Sequence, residues 1–264
     1  KMLKKIKNRI RNIINLGATP LDFVKLFLLI FLFKINNKTN LPSYFAGWPV
    51  NIKFKDKEFI FYPTDNSDLA ILDEIFSKEE YKHSLPVSPE VIIDLGSNVG
   101  LSVIYFKLLY PKARIYSVEP DPITFRKLIK NVAQFDNIFC FNEAVADRTG
   151  QKEFYLYPGS SMSSSFTPRI SDQLAISVSC RSLDDFIEQE KIFKADLIKF
   201  DIEGYEMAVF RNFKKIGTTT SYIGEVHLDL MDETLENFLD LFNKYRQDLR
   251  EISKGRRYSV FLTK

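Results

Sequence analysis

The sequence predicts an α/β chain built on a doubly wound, mostly parallel sheet that ends in an antiparallel hairpin, with helices and a second hairpin ahead of it. Three observations carry this. From Val91 onward, short apolar runs that end in a polar residue alternate with helical segments. A glycine-bearing turn, Asp94-Leu95-Gly96-Ser97-Asn98-Val99-Gly100, joins the first such run to the first helix. Near the C-terminus, Lys254-Gly255-Arg256-Arg257 separates a final pair of runs, Leu249–Ser253 and Tyr258–Leu262, by so few residues that they must pair antiparallel.

The elements follow in order. Lys1, Lys4, Lys5, Lys7, Arg9 and Arg11 interleave with Met2, Leu3, Ile6, Ile10, Ile13 and Ile14 at helical spacing. Gly17 and Pro20 break this helix, and Leu21–Phe33 is an apolar segment interrupted by Asp22 and Lys25, too short to span a bilayer. No small-residue cleavage site follows it. Two readings of residues 1–35 stay open: a peripheral contact with an anionic membrane surface, or a cap on the domain behind. Residues 36–89 form a small leading module. It holds a hairpin (Pro49–Lys55 and Glu58–Tyr62) and a helix that starts at Asp65-Asn66-Ser67-Asp68.

Residues 90–264 are the expected ligand-binding domain. Its strands are Val91–Asp94, Arg114–Val118, Ile138–Asn142, Asp196–Asp201 and Tyr222–Val226, then the closing pair Leu249–Ser253 and Tyr258–Leu262. Its helices are Leu101–Leu109, Pro122–Ala133, Glu206–Phe213 and Glu233–Tyr245. Gln151–Tyr157 and Ile176–Cys180 read as two further strands around a serine-rich loop, Pro158–Ser165, which is either a flexible connector or a substrate loop.

Composition bounds the function. The 264 residues suffice for one good core and an appended segment, and 24 Phe and 12 Tyr fill it. A net charge of +3 is too small to argue for nucleic acid. Cys140 and Cys180, read as buried strand residues, make no disulfide framework and suit a reducing compartment. The expected location is cytoplasmic, peripheral at the inner face of the membrane if the first helices bind it. A homo-oligomer is left open.

Ligands of an open parallel sheet bind beyond the carboxyl ends of the strands. There the sequence puts Asp94, Glu119, Asn142-Glu143-Ala144, Asp201-Ile202-Glu203-Gly204 and Glu225-Val226-His227. A dinucleotide turn would read Gly-x-Gly-x-x-Gly, whereas Asp94 opens this one with a charge that repels a pyrophosphate. Asp94 suits a cationic ligand, S-adenosylmethionine, with its carboxylate on the helix N-terminus and its ribose on Glu119. If the strand continues, Asp201 and Glu203 share a face. Asp201, Glu203, Glu225 and His227 are the candidate catalytic residues, with His227 a candidate base. Asp201, Glu225 and His227 can equally hold a divalent metal. His83 is expected on the surface.

With these residues in view, the chain resembles the FkbM family of S-adenosylmethionine-dependent methyltransferases over about residues 48–245. Thr64–Leu69, Val91–Gly100, Val118–Asp121, Asn142–Val145, Arg181–Phe186, Ile198–Glu206 and Glu225–His227 carry the resemblance. It implies a class I methyltransferase fold and O-methylation of a hydroxyl. The expected acceptor is a sugar in a surface glycan or its lipid-linked precursor. Implied cofactor contacts are Asp94, Gly96, Ser97, Asn98, Gly100 and Glu119, with Asn142 and Ala144 near the adenine and Asp201 beside the transferred methyl. Acceptor contacts are expected at Asp68 and in the serine loop at Ser161 and Ser163. Phe200 and Gly204-Tyr205-Glu206 depart from the family pattern, which bears on the acceptor pocket. An NAD-dependent oxidoreductase and a non-catalytic cofactor-binding scaffold are the rival readings.

Overall fold

The structure is a computed structural model that describes residues 2–39, 45–157, 164–171 and 173–264. Helices α1 (Met2–Ile14) and α2 (Pro20–Thr39) form a helical hairpin. At its turn the Asp22 N–H donates to the Thr19 hydroxyl at 3.2 Å, which donates to the Asp22 carboxylate at 2.6 Å and starts α2. The same carboxylate accepts from the Asn51 N–H at 3.1 Å, tying α2 to strand β1 (Val50–Phe54). Strand β1 pairs antiparallel with β2 (Lys57–Phe61), and its alternate residues Val50, Ile52 and Phe54 face inward. Asp65 caps α3 (Asn66–Leu72), which runs into a single π-helical turn, Asp73–Ser77. Leu26, Phe33, Ile52, Phe61 and Phe76 share one apolar cluster with Ile92, Val103 and Tyr105, so the core is continuous from the N-terminal helices into the main sheet. Among the described residues no helix is long and apolar enough to cross a membrane.

From residue 91 the chain runs β3 (Val91–Leu95), α4 (Leu101–Leu109), β4 (Arg114–Val118), α5 (Pro122–Val132), β5 (Ile138–Phe141), β6 (Ala144–Ala146), β7 (Gly150–Leu156) and β8 (Leu174–Ser182). It continues through α6 (Leu183–Gln189), β9 (Leu197–Phe200), α7 (Glu206–Asn212), β10 (Ser221–His227), α8 (Leu235–Asp240), β11 (Arg246–Ser253) and β12 (Arg257–Thr263). The main sheet has the order β11-β12-β10-β9-β3-β4-β5. From β10 to β5 every pair is parallel, and β12 is antiparallel to both β10 and β11. This is the expected class I methyltransferase-like sheet with its antiparallel hairpin. The chain adds β4 and β5 on one side of β3, then returns to place β9 on the other. That reversal opens a crevice at the carboxyl ends of β3 and β9.

Several expected elements change. The two strands flanking the serine loop do pair antiparallel, as β7 and β8, but they join the unanticipated β6 in a separate three-stranded sheet. The span Glu233–Tyr245 is helical only over α8. Beyond it the Tyr245 hydroxyl donates to the carbonyls of Ile216 and Thr219, both at 2.7 Å, and the segment is held in turns. Helix α6 also went unread, although Ser182 caps it through the Asp185 N–H. Cys180 is buried, whereas Cys140 is only partly so. His83 is not a free surface residue but stacks on Phe261, ring centres 4.4 Å apart.

Candidate active site

The chain leaves β3 through Gly96–Gly100 and enters α4. Gly96 has φ +75°, and a Cβ there would stand 2.0 Å from the Asp201 carbonyl oxygen, so only glycine lets this loop lie against the end of β9. The N–H groups of Gly96 and Ser97 both donate to the Val118 carbonyl at 3.0 Å. Glu119, at the tip of β4, accepts from the Asn98 N–H and the Asp121 N–H, each at 2.9 Å. Burial pushes the Glu119 carboxyl up to about 8, outweighing these two donors, which favour its charged form. Gly96, Asn98, Glu119 and Ala144 line a narrow cleft of about 60 Å³, walled on its apolar side by Phe154 and Phe166.

Three expected cofactor contacts take other roles. Asp94 is fully buried and faces neither the cleft nor the larger cavity beside it. Its carboxylate pairs with the Lys199 ammonium at 3.0 Å and accepts from the Ser102 hydroxyl at 2.6 Å. Its charge is neutralised inside the protein, so Asp94 neither repels a pyrophosphate nor selects a cationic ligand. The Cα–Cβ direction of Gly100 points at Leu128 and Val132, and its service is to let α4 pack on α5. Asn142 is exposed and donates to the carbonyls of Glu119 and Pro120 at 2.9 and 3.0 Å, bracing the β4 tip from outside.

The four candidate catalytic residues do converge. β9 stops at Phe200, and Glu203 (φ +52°) and Gly204 (φ +95°) form a turn, so strand alternation is not what aligns Asp201 with Glu203. Even so, Nε2 of His227 lies 3.7 Å from Asp201, 3.5 Å from Glu203 and 3.5 Å from Glu225. Its Nδ1 is 2.8 Å from a carboxylate oxygen of Glu206. Burial raises Asp201 to about 6 against the pull of Lys199. Burial, then the charges of Asp201 and Glu80, raise Glu225 to about 9. Burial disfavours the His227 imidazolium, but the carboxylates of Glu206, Asp201 and Glu203 outweigh it and push its pKa up to about 10. Single ligand atoms of Asp201, Glu225 and His227 lie within 4.8 Å of one another, close enough to hold a metal ion.

The cluster opens into a cavity of about 460 Å³. Glu74 of the π turn, Lys78 just after it and Tyr81 wall one side, and Arg250, Ile252 and Arg257 of the β11–β12 hairpin another. Gly96, Asn98, Asp201 and Glu203 line both this cavity and the narrow cleft. Ser97 is on the cavity side, its hydroxyl donating to the Asp94 carbonyl at 2.9 Å. Asp68 does not reach the cavity. It is a buried residue of the first turn of α3, accepts from the Thr64 N–H at 2.7 Å, and is bridged to α5 by Lys127. Ser161 and Ser163 lie outside the described residues, and Ser164 of the same loop lines the narrow cleft. Lys199 and Glu206 were missed. A lysine inside an otherwise apolar strand is the one signal that marked the first.

Residues 94–251 match the family model described as the methyltransferase FkbM domain, well over half of the chain. The chain belongs to the FkbM methyltransferase family. The chain is 30% identical over 148 residues to the 2-O-methyltransferase NoeI of Sinorhizobium fredii, covering 50% of this chain and 61% of NoeI. It is 24% identical over 140 residues to the hexuronic acid methyltransferase AglP of Haloferax volcanii, covering 52% of this chain and 56% of AglP. The matches thus span little more than half the length of these relatives. The crystal structure of the methyltransferase FkbM from Methylobacillus flagellatus KT aligns at 14% identity and a TM-score of 0.47, covering 98% of this chain and 59% of that one.

Proposed function

We propose that the chain transfers a methyl group from S-adenosylmethionine to a hydroxyl of a sugar, in a surface glycan or its lipid-linked precursor. One observation carries this reading: the narrow cleft and the charged cavity meet over Gly96, Asn98, Asp201 and Glu203. The residues fit the cofactor. Glu119 keeps carboxylate lone pairs for a ribose diol after its two N–H contacts, and a buried oxygen of Asp201 has no hydrogen-bond partner among the described residues. Carboxylates at that junction suit a positive centre. When bound, the cofactor supplies an electrophilic methyl on a sulfonium.

The chain's own residues align the acceptor and handle its proton. Asp201 is the acceptor for that proton, because its carboxyl is held at about 6 while His227, at about 10, already carries one at neutral pH. His227 orients Asp201, Glu203 and Glu225 around the reacting hydroxyl. The acceptor cavity is lined largely by charged and polar side chains and is of a size that takes one or two sugar rings. Among the relatives, AglP is a hexuronic acid methyltransferase, which points to a sugar acceptor, and NoeI is a 2-O-methyltransferase, which points to transfer onto oxygen. A divalent ion on Asp201, Glu225 and His227 is a second reading, favoured by the unpartnered Asp201 oxygen.

The test is transfer of labelled methyl to glycan and glycolipid fractions of the native host, with and without EDTA. Label in a carbohydrate is expected, and loss of it in EDTA supports the metal reading. Calorimetric heat with NAD and none with S-adenosylmethionine overturns the proposal. Cofactor binding with no acceptor ever labelled favours the scaffold instead.

A further inference from the structure

The outer face of α2 is apolar and uncovered. Leu21, Val24, Phe27, Leu28 and Phe31 are 63%, 54%, 55%, 42% and 57% exposed. Their spacing gathers them on one side of the helix, opposite the buried Leu26, Leu29 and Phe33. A surface helix of a water-soluble protein normally turns charge outward, and a contiguous apolar stripe of this kind marks a contact surface.

The charge around the stripe selects what the surface meets. Residues 1–39 hold nine Lys or Arg and one acid, a net of +8, whereas the whole chain is only +3, so the remainder is net −5. The single acid, Asp22, is buried and bound to Thr19 and Asn51. Lys34 is exposed and Lys25 partly so, on the two edges of the stripe, and Lys7, Arg9 and Arg11 are exposed on the paired helix α1. Two copies of this face would bring +8 against +8 with no exposed acid to offset it. An anionic bilayer offers the complementary charge and takes up the apolar side chains.

We propose that the α1–α2 hairpin docks on an anionic lipid surface, lying on it rather than crossing it. The consequence for the active site is structural. α1 packs on the π turn, with the Arg9 guanidinium 4.0 Å from the Asp73 carboxylate, and Glu74 and Ile75 of that turn wall the larger cavity. The docking element is therefore one layer away from the cavity, an arrangement suited to an acceptor carried on a lipid. The docking itself does not depend on what is methylated.

The experiment is sedimentation of the full chain with vesicles of phosphatidylcholine containing about one quarter phosphatidylglycerol, against pure phosphatidylcholine. Binding is expected to be at least about tenfold tighter on the anionic vesicles and to weaken several-fold between about 50 mM and 500 mM salt. Phe27→Ser with Phe31→Ser should weaken anionic binding about tenfold or more through lost apolar insertion, with an unchanged melting temperature. Lys7→Glu with Arg11→Glu should erase the preference for anionic vesicles. A full chain that stays in solution with anionic vesicles at low salt overturns the proposal. So does a dimer seen by light scattering that the Phe27/Phe31 variant abolishes. Methyl transfer to a soluble sugar, measured without vesicles, reports on the catalytic reading separately.

Discussion

Nδ1 of His227 stands 2.8 Å from a carboxylate oxygen of Glu206, and neither side chain reaches solvent. Glu206 opens α7 and also accepts from the Gly204 N–H at 3.1 Å, so one carboxylate fixes both the imidazole and the turn that carries Glu203. Glu206 thus positions the site without touching either cavity. Glu206→Gln keeps the shape and removes the charge that holds the imidazolium. We expect kcat to fall roughly ten- to a hundredfold with the KM for the methyl donor unchanged, and His227→Ala to cost about a hundredfold or more. Steady-state kinetics on folded variants separates this from a merely structural role, which would lower the amount of active protein and leave kcat per site intact.

The Asp94–Lys199 pair has 0% and 2% side-chain exposure. Lys199→Met leaves a buried carboxylate facing only Ser102 and should destabilise the fold by about 3–5 kcal/mol. Adding Asp94→Asn should recover part of that loss, with a coupling of about 1 kcal/mol or more in a denaturant double-mutant cycle. Additive losses would mean the pair does not act as a unit.

With the ribose placed on Glu119 as proposed, donor binding depends on pH. Its folded pKa, about 8, lies above the ordinary 4.5, so in the free protein the carboxyl is mostly neutral at pH 7. A ribose diol donates better to the carboxylate, so affinity for S-adenosylmethionine should rise with pH up to about 8, by at most about tenfold per pH unit. Stability runs the other way. A raised folded pKa contributes stability below 4.5 that is lost progressively as pH climbs to about 8. Calorimetry and thermal melts of wild type and Glu119→Gln across pH 6 to 9 check both signs, since the variant should flatten each curve.

The two glycines of the loop should respond differently. Gly96→Ala drives a methyl into the Asp201 carbonyl at the junction of cleft and cavity and should weaken donor binding about tenfold or more. Gly100→Ala meets Leu128 and Val132 and should lower the melting temperature while donor affinity in the folded protein is largely kept. Equal losses of affinity in the two variants would mean that both glycines serve the donor cleft.

The sheet was legible in the sequence because buried parallel strands read as nearly continuous apolar runs, and Val91–Leu95 and Leu197–Phe200 are apolar except for the mutually paired Asp94 and Lys199. Asp201, Glu225 and His227 were legible because strand ends converge whatever the loops do. Asp94 was found but misassigned, since one sequence cannot show that Lys199, on the neighbouring strand, neutralises it. Asp68 failed for the same reason: its partner, Lys127, is 59 residues away. β6 is three residues long and pairs with a strand about 35 residues later, leaving no local periodicity to read.

The position of β12 has a consequence for the order of events during synthesis. It is the latest of the seven strands to be translated, yet it sits between β10 and β11 and pairs with both. Until residues 257–263 leave the ribosome, β10 has an unsatisfied edge and Glu225 and His227 have no fixed backbone beneath them. The narrow cleft proposed for the cofactor, built from residues 96–166 and closed by 201–203, can form earlier. A nascent chain should therefore gain the ability to hold its methyl donor before it gains the ability to use it.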